Sequence, residues 1–229
     1  MNQFSAGIRA VLFDLDGTLL DTIGDITNAA NTVLHRRGYP VHTKDEYRML
    51  VGWGLSELMR RCIPEEEIAQ SLLDSCVVEM KAEYAAHPVR ETRPYEGAIA
   101  VVREVHRRGY LQAVLSNKAH ELTTIIVEKM LPAGMFSIVQ GQKSSVPAKP
   151  DPQAALAICE ALGVKPAEVL YVGDTAVDME TARNANMIPL GVSWGFRGRE
   201  EVRDAGARKI ISTPFELLEL LPGVTASAN

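Results

Sequence analysis

The sequence predicts an α/β protein whose core is a doubly wound parallel sheet with a helical segment inserted after the first strand. The apolar run 10–13 has the length of a buried strand and is too short for a stable helix. Residues 23–87, the helical segment, carry a helical pattern without strand-like alternation. From residue 94 onward, short apolar runs alternate with helical patterns. That alternation is typical of parallel strands joined by right-handed helical crossovers.

The helical segment is predicted to form a small bundle. Its first helix carries an apolar stripe and ends at Gly38. Thr43, with Glu46 three residues later, forms a capping box that begins the next helix. Another helix is predicted after Pro64, where apolar residues recur at every fourth position.

The second half of the chain supplies the other strands of the sheet. A helix is expected at 98–108, and another begins at Asp151-Pro152 and ends at Gly163. The predicted strands lie at 111–115, 136–139, 169–172, 188–192 and 209–211.

These patterns predict two domains. A Rossmann-like core comprises residues 1–20 and 93–229, and an α-helical cap domain comprises residues 21–92. In doubly wound folds, ligands bind beyond the carboxyl ends of the strands, where the strand order reverses. A functional site is therefore expected at that edge of the sheet.

Composition and charge narrow the possible functions. The formal net charge of −5 argues against a general nucleic-acid surface or a surface for anionic membranes. Three cysteines without a CxxC spacing argue against a disulfide framework or a zinc site. The chain shows no signal-peptide pattern and no apolar run of transmembrane length, so we expect a soluble, cytoplasmic protein. The sequence leaves the oligomeric state open.

The first strand ends in a cluster of polar residues. Asp14 and Asp16 are two apart, so they lean to one side if the extended geometry persists. Two carboxylates this close repel each other unless one is protonated or a cation lies between them. Gly17 allows a turn with positive φ, and Thr18 adds a hydroxyl. The pattern indicates a metal-assisted site, although either aspartate alone is more often a helix cap.

Other strand ends carry polar residues that can converge on this pair. Ser116 and Asn117 follow one strand, Asp174 follows another, and Lys149 precedes a helix start. Asp178 is four residues after Asp174, so a helical turn brings both to one face. Clustered carboxylates suit a hard divalent cation such as Mg²⁺, and Lys and Ser are natural ligands of phosphate oxygens.

Taken together, these residues resemble the haloacid dehalogenase superfamily, in its phosphatase branch with a helical cap. Four motifs occur in that family's order. They are Asp14-Leu15-Asp16-Gly17-Thr18, Ser116-Asn117-Lys118, Lys149-Pro150-Asp151-Pro152, and Gly173-Asp174 with Asp178.

The resemblance implies a Mg²⁺-dependent phosphomonoester hydrolase. Asp14 is then the nucleophile that forms an aspartyl-phosphate, and Asp16 is the general acid and base. Mg²⁺ would be held by Asp14, the Asp16 carbonyl, Asp174 and Asp178. The implied phosphate-binding residues are Ser116, Asn117 and Lys149.

The resemblance also implies a small phosphorylated metabolite as the partner, 2-phosphoglycolate before others, with specificity set by the cap. Candidate substrate residues are Thr18, Gly52, Trp53, Arg60 and Arg61, the two arginines as partners of a substrate carboxylate. A sugar phosphatase, nucleotidase, pyrophosphatase or sugar phosphomutase of the same superfamily remains an alternative. A receiver-like phospho-acceptor module is a further alternative, which the inserted helical segment disfavours.

Overall fold

The protein is described by a computed structural model over residues 7–222. Its strands are β1 (Ala10–Phe13), β2 (Leu20–Asp21), β3 (Arg93–Pro94), β4 (Leu111–Ala119), β5 (Ile138–Gln142), β6 (Val169–Gly173), β7 (Ile188–Val192) and β8 (Lys209–Ile211). Its α-helices are α1 (Ile23–Arg36), α2 (Lys44–Leu50), α3 (Leu55–Cys62), α4 (Gln70–Ala86), α5 (Ala98–Arg107), α6 (His120–Met130), α7 (Gln153–Leu162), α8 (Ala176–Asn184), α9 (Arg199–Asp204) and α10 (Leu217–Leu220).

The sheet is parallel throughout and is wound in two directions from its centre. Its strand order is β5-β4-β1-β6-β7-β8. From β1 the chain moves outward through β4 and β5, then crosses to the other side and continues through β6, β7 and β8. The strand order therefore reverses between β1 and β6, which is where this fold places its ligands. The predicted α/β fold with a parallel sheet is confirmed.

The central strand explains why helices cover both faces of the sheet. All four residues of β1 are buried, and successive side chains point to opposite faces. Val11 and Phe13 belong to the hydrophobic cluster formed with α5, α6 and α10, whereas Leu12 belongs to the cluster formed with α7 and α8. A continuous apolar run of four residues is thus the pattern of a strand buried on both faces.

The helical segment, α1 to α4, is inserted between β1 and β4, as expected from its pattern. Its apolar residues continue the hydrophobic cluster of one sheet face. The chain leaves and re-enters the sheet through β2 and β3, which pair antiparallel as a short ribbon. The Asp25 carboxylate of α1 accepts hydrogen bonds from the backbone N–H groups of Glu91 and Thr92 and so fixes the return connection. The domain boundaries at 20/21 and 92/93 remain a prediction, and both fall at this ribbon.

Several elements have bounds that differ from the sequence-based expectation, and β5 is Ile138–Gln142 in place of 136–139. Strand β4 continues to Ala119, past its expected end at Leu115, because Ala119 still pairs with Gln142 of β5. Helix α4 begins only at Gln70, since Ala69 has an extended backbone. Within residues 7–222, no helix is both long and apolar enough to cross a membrane.

Candidate active site

Asp14 stands at the carboxyl end of β1, next to the point where the strand order reverses. Its N–H donates to the Val172 carbonyl of β6 at 2.9 Å, so the backbone remains part of the sheet up to this residue. Gly17 then turns the chain with a φ of +85°. A Cβ at Gly17 would collide with the Asp174 carboxylate, so both backbone conformation and space require glycine here.

Three carboxylates meet below this turn. Asp14, Asp174 and Asp178 each offer an oxygen, and these atoms lie within 4.8 Å of one another. All three side chains are buried. Asp14 and Asp174 follow adjacent strands and Asp178 lies in the first turn of α8, so the sheet edge and one helix start bring them together.

Lys149 partly balances this negative charge. Its Nζ lies 2.8 Å from Asp14 Oδ1 and 2.7 Å from Asp178 Oδ1, and it donates to the Leu115 carbonyl at 3.2 Å. Burial would lower the pKa of Lys149, but the neighbouring carboxylates raise it well above its usual range. The lysine is therefore a permanent cation at the site.

One ammonium does not neutralise three buried carboxylates. Burial raises the pKa of Asp14 to about 7, against the opposing effect of Lys149. Burial and the nearby Asp178 also raise the pKa of Asp174 far above its usual range. Such shifts mean that the ionised cluster lacks positive charge, which a hard cation bound by oxygen ligands would supply. The three carboxylates therefore fit a divalent metal.

The two deeper carboxylates are held in place by short hydrogen bonds. Asp174 accepts from the Thr18 hydroxyl at 3.0 Å and from the Phe196 N–H at 2.8 Å. Asp178 accepts from the Thr175 hydroxyl at 2.8 Å and from its N–H at 3.1 Å, as the acidic partner of a capping box. Each carboxylate is thus oriented before any ligand binds.

Asp16 faces a different set of partners. Its Oδ1 accepts from the Thr22 hydroxyl at 2.6 Å and from the Lys118 ammonium. Its Oδ2 lies 3.5 Å from the Ser116 hydroxyl, at the limit of a hydrogen bond. Asp14 and Asp16 therefore have separate cationic partners, Lys149 and Lys118, which suits two carboxylates with different tasks.

Asn117 joins three parts of the chain. Its side-chain Nδ2 donates to the Gly52 carbonyl of the helical segment at 2.9 Å and to the Lys149 carbonyl at 3.1 Å. Its Oδ1 accepts from the Lys149 N–H at 2.9 Å. The amide therefore positions the Lys149 loop and contacts the helical segment.

A cavity lies between the sheet edge and the helical segment. Its polar wall contains two carboxylates and the polar groups beside them, namely Asp14, Asp16, Ser116, Lys118 and Lys149. Its opposite wall is apolar and comes mainly from the helical segment, with Ile26, Val51, Leu55, Leu58 and Phe196. The apolar wall lowers the local dielectric constant and so strengthens the electrostatic interactions of the groups on the polar wall.

Of the predicted substrate residues in the helical segment, only Gly52 contributes to the cavity. Gly52 lines the cavity, whereas Trp53, Arg60 and Arg61 are not among its lining residues. Both arginines bond the Glu57 carboxylate at 2.7 Å, and the Arg61 guanidinium lies 5.8 Å from the centre of the Trp53 ring. The Thr18 hydroxyl donates its hydrogen bond to Asp174.

The loop after β7 connects the carboxylate cluster to the helical segment. The Trp194 indole donates to the Thr18 carbonyl at 3.0 Å, and the Phe196 N–H binds Asp174. The next side chain, Arg197, is buried and donates to the Met49 and Val51 carbonyls at 2.7 Å and 3.2 Å, beyond the sheet edge at the end of α2. Adjacent residues of this loop therefore contact both sides of the cavity.

Sequence reasoning assigned no role to Lys118, Tyr84 or Arg197. Lys118 lies beyond the predicted strand end at Leu115, in a part of β4 whose register shifts before Ala119. Regular alternation along a strand therefore does not indicate the direction of its side chain. Tyr84 and Arg197 reach the site only through packing between distant elements, which leaves no local pattern.

The comparisons with known proteins agree with this geometry. Residues 11–192 match the family described as haloacid dehalogenase-like hydrolase. A phosphoglycolate phosphatase of Thiobacillus denitrificans is 30% identical over 203 residues, which cover 87% of this chain and 89% of that protein.

Solved structures show the same fold. A protein of Lactobacillus delbrueckii subsp. bulgaricus, provisionally named a phosphoglycolate phosphatase, aligns with a TM-score of 0.87 and 29% identity, covering 94% of this chain and 99% of that one. A β-phosphoglucomutase of Clostridium difficile aligns with a TM-score of 0.74 and 19% identity, over 92% and 93% of the two chains, and shares the fold. The family match spans most of the sequence and includes the carboxylate cluster, so the chain belongs to the haloacid dehalogenase-like hydrolases.

Proposed function

We propose that this hydrolase is a Mg²⁺-dependent phosphomonoesterase that acts on 2-phosphoglycolate through an aspartyl-phosphate on Asp14. The observation that carries the proposal is the position of the Asp14 carboxylate. It is held at 2.8 Å by Lys149 within a cluster of two further buried aspartates, and it lines the cavity. The similarity to phosphoglycolate phosphatases supports the choice of substrate.

Asp14 is the proposed nucleophile. Its Oδ1 is engaged by Lys149, which leaves Oδ2 to attack phosphorus, with the P–O bond of the ester breaking as the acyl phosphate forms. Lys149 and the Ser116 hydroxyl lie on the same wall of the cavity and bind the phosphoryl oxygens. Phosphoryl transfer needs mainly such positioning and charge neutralisation.

Asp16 is the proposed general acid and base. Two residues beyond the nucleophile, it gives its proton to the leaving alkoxide and then removes a proton from the water that attacks the acyl phosphate. Thr22 and Lys118 hold its Oδ1, so Oδ2 is the oxygen that faces the reacting atoms. The expected Asp16 contribution to the metal is its backbone carbonyl, which leaves the side chain for proton transfer.

The proposed Mg²⁺ ligands are the carboxylates of Asp14, Asp174 and Asp178 and the Asp16 carbonyl. Asp178 also bonds Lys149, so it both orients the lysine and faces the metal position. When bound, the ion neutralises charge on the phosphoryl group.

A panel of phosphorylated compounds tests the proposal. Purified protein with Mg²⁺ is given 2-phosphoglycolate, glucose 6-phosphate, a nucleoside monophosphate and pyrophosphate, and released phosphate is measured. We expect continuous release and the highest kcat/KM for 2-phosphoglycolate. A preference for another compound of the panel would contradict the choice of 2-phosphoglycolate as substrate but not the proposed mechanism. A single labelling of the protein without further release would instead indicate a phospho-acceptor module.

A phosphomutase remains a rival within the superfamily, because it needs the same core residues. The same incubation with β-glucose 1-phosphate, followed by separation of the sugar phosphates, distinguishes the two. A phosphatase yields free sugar and phosphate, whereas a mutase yields glucose 6-phosphate with little phosphate release.

A further inference from the structure

We propose that Lys118 and the Tyr84 hydroxyl form a subsite for an anionic group on the leaving group of the substrate. This subsite selects esters in which a carboxylate is attached to the carbon that bears the ester oxygen. The inference rests on the proposed function, because it concerns the leaving group of that reaction. It gives Lys118 the task that the sequence assigned to Arg60 or Arg61.

Lys118 is placed where the leaving group must lie. Its ammonium bonds Asp16, the residue that protonates the leaving oxygen, and its side chain is buried and lines the cavity. In 2-phosphoglycolate the carboxylate is separated from the leaving oxygen by one carbon. A substrate whose leaving oxygen contacts Asp16 therefore brings its carboxylate close to the Lys118 ammonium.

The other cation of the cavity serves the nucleophile and the phosphoryl group. The Lys149 ammonium bonds Asp14, Asp178 and the Leu115 carbonyl, which hold it beside the nucleophile and not beside Asp16. Among the described residues that line the cavity, Lys118 is the remaining lysine or arginine. An anionic substituent on the leaving group would otherwise meet an apolar wall and the Asp16 carboxylate.

Tyr84 supplies the second part of the subsite. Its ring lies under the ammonium, with Nζ of Lys118 at 4.7 Å from the ring centre. Its hydroxyl is buried and close to the Lys118 ammonium, but among the described residues it has no partner that meets the geometric criteria of a hydrogen bond. A ligand oxygen bound to Lys118 would complete the hydrogen bonding of this hydroxyl.

The apolar surroundings strengthen the recognition. Ile26 and Leu58 line the same cavity, so an ion pair formed there is poorly screened by water. Lys118 pairs with Asp16 whether or not the substrate carries a carboxylate, so an ester with a neutral leaving group gains no additional ion pair from it. The subsite therefore distinguishes esters by charge and not by size.

The test compares two esters of similar size. 2-Phosphoglycolate has a carboxylate on its leaving group, and ethyl phosphate has a methyl group in its place. kcat and KM are measured for both with the wild type, Lys118→Met, Lys118→Arg and Tyr84→Phe. Lys143→Met is the matched control, since it removes one exposed lysine from the loop after β5.

We expect the wild type to prefer 2-phosphoglycolate. Lys118→Met should lower the ratio of the two kcat/KM values by about 10²-fold, mainly through KM for 2-phosphoglycolate. Lys118→Arg should retain much of the preference, Tyr84→Phe should reduce it several-fold, and Lys143→Met should leave it unchanged. Circular dichroism of each variant verifies the fold.

Three results would overturn the inference. If Lys118→Met lowers kcat/KM equally for both esters, Lys118 only orients Asp16. If the folded Tyr84→Phe and Lys118→Arg variants keep the wild-type ratio while Lys118→Met fails to fold, the lysine is structural. If the wild type hydrolyses both esters equally, the subsite is absent although hydrolysis through Asp14 stands. Turnover of neither ester would instead refute the proposed function itself.

Discussion

The Arg197 guanidinium donates a hydrogen bond of 2.7 Å to the Met49 carbonyl, and so joins the loop after β7 to the end of α2. The preceding residue, Phe196, donates its N–H to Asp174. Two consecutive residues therefore connect the carboxylate cluster with the helical segment that forms the opposite wall of the cavity. We expect the position of the helical segment to depend on this loop.

Replacing Arg197 by Met should loosen the helical segment without removing any group from the cavity's polar wall. Hydrogen bonds from a charged donor contribute roughly 1.5–3 kcal/mol, so we expect kcat/KM to fall by about 10- to 100-fold. Hydrogen exchange of the backbone at 48–54 should accelerate. Arg199→Met, an exposed arginine two residues further on, is the control. Unchanged exchange at 48–54 in the Arg197 variant would show that the contact does not hold the helical segment.

Lys149→Met tests the charge balance of the site. The variant leaves Asp14 and Asp178 without their shared cation. We expect kcat to fall by about 10²–10³-fold, as for the loss of one transition-state contact. The matched variant Lys165→Met removes a charge at a distance from the cavity and should retain full activity. A kcat within a factor of two or so of the wild type for Lys149→Met would remove the lysine from the mechanism.

Metal binding should stabilise the protein in a pH-dependent manner. Burial raises the pKa of Asp14 from 3.8 to about 7 and raises that of Asp174 as well. A carboxyl whose folded-state pKa is raised contributes stability below its unfolded pKa, and this contribution is lost as the pH rises through the folded-state value. Without metal, the protein should therefore lose stability between about pH 4 and pH 7.

Mg²⁺ binds the ionised carboxylates, so its stabilising effect should be larger at about pH 8 than at about pH 5. Thermal unfolding with Mg²⁺ and with EDTA at the two pH values measures this. Asp174→Asn should abolish most of the difference, while Asp204→Asn, on the exposed end of α9, should keep it. An equal or larger effect of Mg²⁺ at the lower pH would contradict the placement of the ion among these carboxylates.

The carboxylate cluster was predictable because it depends on strand ends. Once 10–13 and 169–172 are recognised as parallel strands, the residues that follow them must share one edge of the sheet, whatever their separation in sequence. The sequence therefore predicts that Asp14 and Asp174 lie together. The residue types also predict a divalent metal, because three buried carboxylates carry more negative charge than one lysine can neutralise.

The contacts across the cavity could not be predicted in the same way. Arg197 bonds backbone carbonyls, which every residue possesses, so no side-chain pattern at 48–51 identifies its partners. Lys118 lies past the predicted strand end at Leu115, where the register of β4 shifts, so strand alternation does not predict that it faces Asp16. Arg60 and Arg61 have the charge that a carboxylate needs, but α3 directs both to Glu57.

The central claim is that the Asp14 carboxylate itself accepts the phosphoryl group. The most direct measurement is mass spectrometry of peptides from enzyme quenched in acid during turnover of 2-phosphoglycolate with Mg²⁺. We predict one phosphoryl group on the peptide that contains Asp14, and neither this adduct nor measurable phosphate release from folded Asp14→Asn. Phosphate release by Asp14→Asn at a rate near that of the wild type, or an adduct on a different residue, would contradict the account.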